Sequence, residues 1–139
     1  MKKLLLFSIL FLQCYLGVTY AQNCIPIAIV FSTQAQVDNF PTDYPGCTII
    51  DGNVGITGSN ISNLNGLSQI TTIGGSVQII NTSSLVNLNG LSGLTEIGGN
   101  LKFQDVTNLS NIQGLNSLTH IGGGLRFENV SGLFAINGL

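Results

Sequence analysis

The chain has 139 residues, of which only 7% are charged, and its formal net charge at pH 7 is −2. Beyond the first 21 residues, two basic residues, Lys102 and Arg126, stand against six acids. So few cations cannot neutralise a row of phosphates, which argues against nucleic acid and anionic membrane surfaces as partners.

The first 21 residues have the pattern of a signal peptide. Lys2 and Lys3 form a positive start, residues 4–12 are an apolar run too short to span a bilayer, and small residues precede and include Ala21. We expect cleavage near Ala21, a secreted or cell-surface location, and no membrane insertion of the mature chain.

Residues 22–49 are expected to form an N-terminal cap that differs in character from the rest of the chain. A short strand with apolar residues at alternate positions should come first, followed by a short helix. The strand residues are Ile27, Ile29 and Phe31; the helix has Ser32 or Thr33 as its cap, Val37 and Phe40 as its apolar residues, and Pro41 as its end.

Two cysteines, Cys24 and Cys47, remain after the predicted cleavage and bracket this cap. An even count in an exported chain favours a disulfide between them over two separate buried thiols. Two cysteines without a nearby histidine do not make a zinc site, and we expect neither a metal nor a cofactor.

A 24-residue repeat dominates the remaining chain, residues 50–139. The tripeptide Ile-Gly-Gly begins at Ile73, recurs at Ile97 and recurs again at Ile121. We therefore divide the segment into coils 50–72, 73–96, 97–120 and an incomplete coil 121–139. Because the sequence stops at Gly138-Leu139 in the middle of a repeat, we expect the natural protein to continue through further coils to a terminal cap.

Each coil has three apolar groups, the first with strand-like alternation, and no stretch keeps a helical period. This pattern predicts a solenoid with three inward faces per turn. In the second coil the three groups begin at Val77, Leu85 and Leu91. We expect the recurring glycines, such as Gly90, to adopt backbone angles closed to other residues.

Polar residues recur with the same spacing, and stacked coils would place them in ladders along the axis. The expected ladders are Asn63, Asn87 and Asn111; Asn65, Asn89, Gln113 and Asn137; and Thr71, Thr95 and Thr119.

The motif Leu-x-Gly-Leu-x-x-Leu-Thr-x-Ile-Gly-Gly-x-Leu-x-Phe, seen from Leu88 to Phe103, resembles the receptor L-domain family. The segment from Phe31 to Cys47 that leads into Thr48-Ile49-Ile50 fits the same resemblance, which extends to exported repeat proteins of Bacteroidetes-type bacteria. The resemblance implies an all-β fold, a single-stranded right-handed β-helix or leucine-rich-repeat-like solenoid with a disulfide-closed cap. It does not carry over receptor-kinase signalling, because the chain lacks the cysteine-rich modules of those receptors.

The expected function is binding or adhesion to an extracellular protein or glycan. The candidate binding face lies on the outward strand positions, which vary from coil to coil: Gln78, Lys102, Gln104, Arg126 and Glu128. Lys102 and Arg126 should be in register, with Glu128 near enough to offset their repulsion. The alternatives are a structural surface spacer without a ligand and a β-helix polysaccharide-degrading enzyme.

An enzyme is disfavoured because the charged residues lie on an open face, where a perturbed catalytic group has no burial to sustain it. His120 stands alone in a turn, without a local partner for metal or nucleophile chemistry.

Overall fold

The computed structural model describes residues 22–25, 27–134 and 136. The predicted signal peptide, residues 1–21, lies outside them, as do Asn137 and the stop at Leu139. The described part contains ten strands and one α-helix: β1 Gln22–Ile25, β2 Ile29–Phe31, α1 Gln34–Asp43, β3 Cys47–Ile50, β4 Val54–Thr57, β5 Thr72–Ile73, β6 Val77–Ile80, β7 Glu96–Ile97, β8 Leu101–Gln104, β9 His120–Ile121 and β10 Leu125–Glu128.

The strands form two parallel five-stranded sheets, between which the chain alternates. The first sheet has the order β1-β3-β5-β7-β9, and the second has the order β10-β8-β6-β4-β2. Each 24-residue repeat therefore contributes one short strand to the first sheet and one four-residue strand to the second. Between β4 and β5, β6 and β7, and β8 and β9 the chain passes through a 3₁₀ helix: Asn65–Leu67, Asn89–Leu91 and Gln113–Leu115.

The core is built from the three apolar groups that the sequence indicates. In the second repeat Val77 and Ile79 from β6, Leu85 and Leu88 from the following loop, and Leu91 from the 3₁₀ helix are all buried. Complete burial of such a side chain contributes about 1.5–3 kcal/mol. The prediction of three buried apolar groups per repeat is therefore confirmed in the three coils over residues 50–120, whereas in the last coil the predicted inward residues Leu125 and Ile136 are 41% and 66% exposed.

The predicted fold class, a single-stranded right-handed β-helix or leucine-rich-repeat-like solenoid, is wrong. The strands form two separate parallel sheets that are neither curled nor closed. The third apolar group forms no sheet, because its backbone bonds locally: the N–H of Leu91 donates to Leu88 O (2.8 Å), and that of Leu94 donates to Leu91 O (2.9 Å). The apolar spacing indicated which residues are buried. It does not indicate how the backbone groups between those residues are hydrogen-bonded.

The N-terminal segment contains the predicted helix, which begins at a predicted cap residue but ends later than predicted. Thr33 is the N-cap, and its hydroxyl accepts from the N–H of Gln36 in a capping box. Helix α1 does not end at Pro41, since it continues to Asp43 and the N–H of Tyr44 still donates to Phe40 O (2.9 Å). Pro41 has no N–H to donate within the helix, but the bond from Tyr44 to Phe40 maintains the turn that contains it.

The predicted strand through Ile27 begins later, at Ile29, where pairing with Val54 of β4 starts. Ile27 itself is 73% exposed. The predicted disulfide between Cys24 and Cys47 is confirmed, with a Cα–Cα distance of 5.5 Å. It joins β1 to β3, which are neighbours in the first sheet.

The threonine ladder is confirmed, whereas the side chains of the first predicted asparagine ladder bond within their own repeats to backbone groups of the second. The hydroxyl of Thr95 donates to Thr71 O (2.9 Å), and that of Thr119 donates to Thr95 O (3.1 Å), so these bonds join successive repeats. In contrast, the Asn87 side chain accepts from the N–H of Asn89 (3.1 Å) within its own repeat. Asn63 with Asn65 and Asn111 with Gln113 form the same local turn.

The recurring glycine of the 3₁₀ helices is needed for close packing rather than for unusual backbone angles. A Cβ atom on Gly90 would overlap the carbonyl group of Leu64 in the preceding repeat, and one on Gly114 would overlap that of Leu88. Neither glycine has a positive φ. The expectation of closed backbone angles is therefore wrong, and contact between repeats is the reason for glycine.

Candidate functional site

The outward side of the second sheet, which we call the strand face, consists of two rows of residues in register. Side chains alternate along a strand, so the residues between the buried ones point away from the core. The first row is Val30, Gly55, Gln78, Lys102 and Arg126, and the second is Thr57, Ile80, Gln104 and Glu128. The buried neighbours recur as apolar residues, whereas the strand face changes at every strand.

Lys102 and Arg126 are direct neighbours on β8 and β10, and both pair with Glu128. The Lys102 Nζ to Glu128 Oε2 distance is 3.0 Å, and Arg126 Nε contacts Glu128 Oε1. The hydrogen bond from Lys102 lowers the pKa of Glu128 below its usual value, and Arg126 adds to this shift although desolvation opposes it. The predicted compensation by Glu128 is thus present and extends to both cations.

A shallow depression of about 410 Å³ lies beside the two cations on the strand face. Its lining residues are Gln78, Asn100, Lys102, Gly124, Leu125 and Arg126. It opens at the beginning of β8 and β10, because Asn100, Gly124 and Leu125 stand at that end, whereas Glu128 stands at the far end of β10. The cations therefore lie between this depression and the Glu128 carboxylate.

The five residues predicted for the binding face all lie on it, but they divide into two groups. Gln78, Lys102 and Arg126 meet at the depression. Gln104 lies two residues beyond Lys102 on β8, in register with Glu128, and its amide donates to the Asp105 carboxylate (3.2 Å). His120 is exposed on β9, in the other sheet, so the structure does not bring it to the strand face.

Sequence reasoning missed Asn100, which belongs to a ladder just before the strands of the second sheet. The Asn53 side chain accepts from the N–H of Ser76 (2.7 Å), Ser76 Oγ accepts from Asn100 (3.0 Å), and the Asn100 side chain accepts from Gly124 (2.7 Å). Gly124 has no side chain to continue the series, which leaves the depression open beside Asn100. The recurrence of Asn, Ser and Asn at this repeat position was the available signal.

Metal-binding clusters and membrane-spanning helices are both absent from the described ranges. Among residues 22–25, 27–134 and 136, no group of three or more His, Cys, Asp and Glu residues is placed to hold a metal ion. Within the same ranges, no helix has the length and apolar character required to cross a membrane.

Comparison with known proteins gives one match. The chain matches no curated protein and no solved structure. The matched segment, residues 46–107, is less than half of the chain and includes β3 to β8 with most of the strand face. Over this segment the chain is similar to the Receptor L domain family, whose model it matches.

Proposed function

We propose that the chain is an extracellular binding module that uses the strand face to contact a protein partner. The observation that carries this proposal is the contrast between the strand face and the residues beneath it. Buried Val54, Val77 and Leu101 keep one apolar character in register, while outward Gly55, Gln78 and Lys102 differ at every strand. A constant frame that presents a varied surface suits recognition of a specific partner.

The match to the Receptor L domain and the disulfide both support an extracellular role. Disulfides persist in exported proteins and are rare in reducing compartments. The narrower relationship to exported repeat proteins of Bacteroidetes-type bacteria is a further proposal, supported by the motif from Leu88 to Phe103.

A protein partner fits the strand face better than a glycan does. The nine outward residues include no aromatic side chain on which a sugar ring could stack. The depression is shallow, and the strand face beyond it consists mostly of uncharged residues such as Val30, Thr57 and Ile80. Protein interfaces make use of broad surfaces of this kind, with a few charged or large anchors.

We further propose that the chain is not an enzyme. General acid–base catalysis requires a proton-transfer group whose pKa is tuned toward the working pH, which usually requires burial. Glu128, the carboxylate that pairs with the two cations lining the depression, has its pKa shifted downward and is one-third exposed. This shift keeps it ionised and makes it a poor proton donor at neutral pH.

Arrays of extracellular proteins and of glycans, probed with the purified chain, test the proposed function. We expect a protein partner whose affinity falls about tenfold with Gln78→Arg, because a central interface position is blocked. Gln113→Arg is the matched control, since Gln113 is exposed on a 3₁₀ helix away from the strand face. Equal loss of affinity with both variants would contradict the proposal, and so would a glycan partner. The absence of any partner would favour the alternative function, a structural surface spacer without a ligand.

A further inference from the structure

Lys102 and Arg126 provide all the positive side-chain charge of the described residues, and both are held from one side only. Glu128 contacts them from the far end of β10, while the depression lies at the near end. The Arg126 side chain is 71% exposed and uses its Nε for Glu128. A guanidinium group has four further N–H donors, and an ammonium group has three donors in total, so both cations retain donors for a second acceptor.

The depression has the lining that a carboxylate would need. Gln78 and the two cations supply N–H donors, and no carboxylate is among its lining residues. Leu125, the apolar lining residue, is in register with buried Leu101 on the core side of the sheet, so the polar and charged residues define the outward part of the depression. The depression therefore combines positive charge with N–H donors and has no negatively charged lining residue.

We propose that the protein partner presents an acidic segment to this depression, and that Glu128 is an internal competitor for the same two cations. The inference rests on the proposed function, because it names the chemistry of the partner. Both ion pairs of Glu128 are partly exposed, at 27% and 31% for the Lys102 and Glu128 side chains. Exposed ion pairs are weak, so a partner carboxylate can replace them.

Internal competition has a defined consequence for affinity. While Glu128 holds the cations it reduces the local positive potential and draws both side chains toward the far end of β10. An entering carboxylate must either share the cations or separate them from Glu128. Removing the Glu128 charge therefore strengthens binding of an acidic segment, even though Glu128 lies outside the depression.

The test uses a hexaglutamate peptide as the probe, with isothermal titration calorimetry on the purified chain at pH 7 and low salt. We expect Glu128→Gln to bind the peptide about fivefold more tightly than the natural chain, because two exposed ion pairs no longer compete. Glu96→Gln is the matched control: it removes the same charge from an exposed position on β7, in the first sheet. We expect that control to change the affinity less than twofold, because screening attenuates a remote charge.

A double variant distinguishes binding at the depression from nonspecific electrostatic attraction of the peptide to the protein. Lys102→Ala combined with Arg126→Ala should abolish hexaglutamate binding while leaving the melting temperature nearly unchanged, since both side chains lie on the surface. Equal effects of Glu128→Gln and Glu96→Gln, or unaltered affinity of the double variant, would overturn the inference. So would a gain with Glu128→Gln for tetragalacturonate and none for hexaglutamate, which would indicate an acidic glycan.

The two proposals can fail separately. If a protein partner is lost with Gln78→Arg but hexaglutamate does not bind, the strand face remains the binding site and the acidic segment is wrong. If hexaglutamate binds as expected but the protein partner is insensitive to Gln78→Arg, the depression accepts acids and the proposed function is wrong.

Discussion

The strand face and the side of the molecule that carries the 3₁₀ helices use polar residues in opposite ways. On the 3₁₀ side the same residue types recur every 24 positions, and they bond to backbone groups: Thr95 joins two repeats, and Asn87 closes a turn. On the strand face the residues change, and the charged ones pair with each other rather than with the backbone. Recurrence thus marks the residues that hold repeats together, whereas variation marks the residues that the fold leaves free for a partner.

The largest effect should come from Gly90→Ala on the 3₁₀ side. The added methyl group would overlap the Leu64 carbonyl, so neighbouring repeats would have to move apart. We expect a loss of about 3 kcal/mol in the free energy of unfolding, measured by chemical denaturation. Gly124→Ala is the control, because a Cβ there meets only Asn100 Oδ1 at 3.6 Å. Similar losses for the two variants would show that close contact is not the reason for the recurring glycine.

A gain in stability is expected from Thr82→Val, because Thr82 is a polar residue at an otherwise apolar core position. Thr82 is fully buried, and its hydroxyl has no hydrogen-bond partner among the described residues. The equivalent positions in the next two repeats hold Val106 and Val130. Removing an unsatisfied buried hydroxyl while keeping the shape should stabilise the fold by about 1 kcal/mol. The reciprocal Val106→Thr should destabilise it by a comparable amount, and a loss with Thr82→Val would mean that a bound water satisfies the hydroxyl.

Much of the difference between the strand face and the 3₁₀ side could be predicted from the sequence. Burial follows the apolar spacing, and the register of the strands follows the repeat length. The repeat spacing placed Lys102 beside Arg126, residue types gave Ser32 or Thr33 as the cap of α1, of which Thr33 is correct, and the even cysteine count paired Cys24 with Cys47. The spacing could not show that the chain forms two open sheets, since that depends on which backbone groups bond locally.

A second missed feature is the left-handed backbone just after three strands of the second sheet. Asn81, Asp105 and Asn129 have φ values of 55°, 53° and 50°, in the region that asparagine and aspartate tolerate best. Their recurrence at 24-residue spacing was a visible signal. However, the recurrence of Asn and Asp in the sequence does not show whether these residues are required for a left-handed backbone conformation or are simply exposed polar residues.

A smaller loss is expected from Thr95→Val, which tests the threonine ladder between repeats, on the 3₁₀ side just before β7. The hydroxyl of Thr95 donates to Thr71 O, and Thr95 is exposed, so water can partly replace the bond. We expect a loss of about 0.5 kcal/mol in the free energy of unfolding. Thr107→Val is the control, because Thr107 is also exposed and lies in the turn after β8, away from this ladder. If both variants lose the same amount, the ladder adds nothing beyond the preference for threonine at an exposed site.

The smallest effect should be the pH dependence that Glu128 contributes on the strand face. Its pKa in the folded chain is lowered, chiefly by the hydrogen bond from Lys102, so the ionised form is favoured by folding. Its stabilisation is therefore fully present above the ordinary glutamate pKa of about 4.3 and is lost as pH falls through the lowered folded value. Between pH 7 and pH 3 the melting temperature of the natural chain should fall slightly more than that of Glu128→Gln. Asp43→Asn, which alters an exposed carboxylate at the end of α1, provides the control for loss of one charge. An identical pH response of the natural chain and Glu128→Gln would mean that the two ion pairs do not persist in solution, and Glu128 could not then compete with a partner carboxylate.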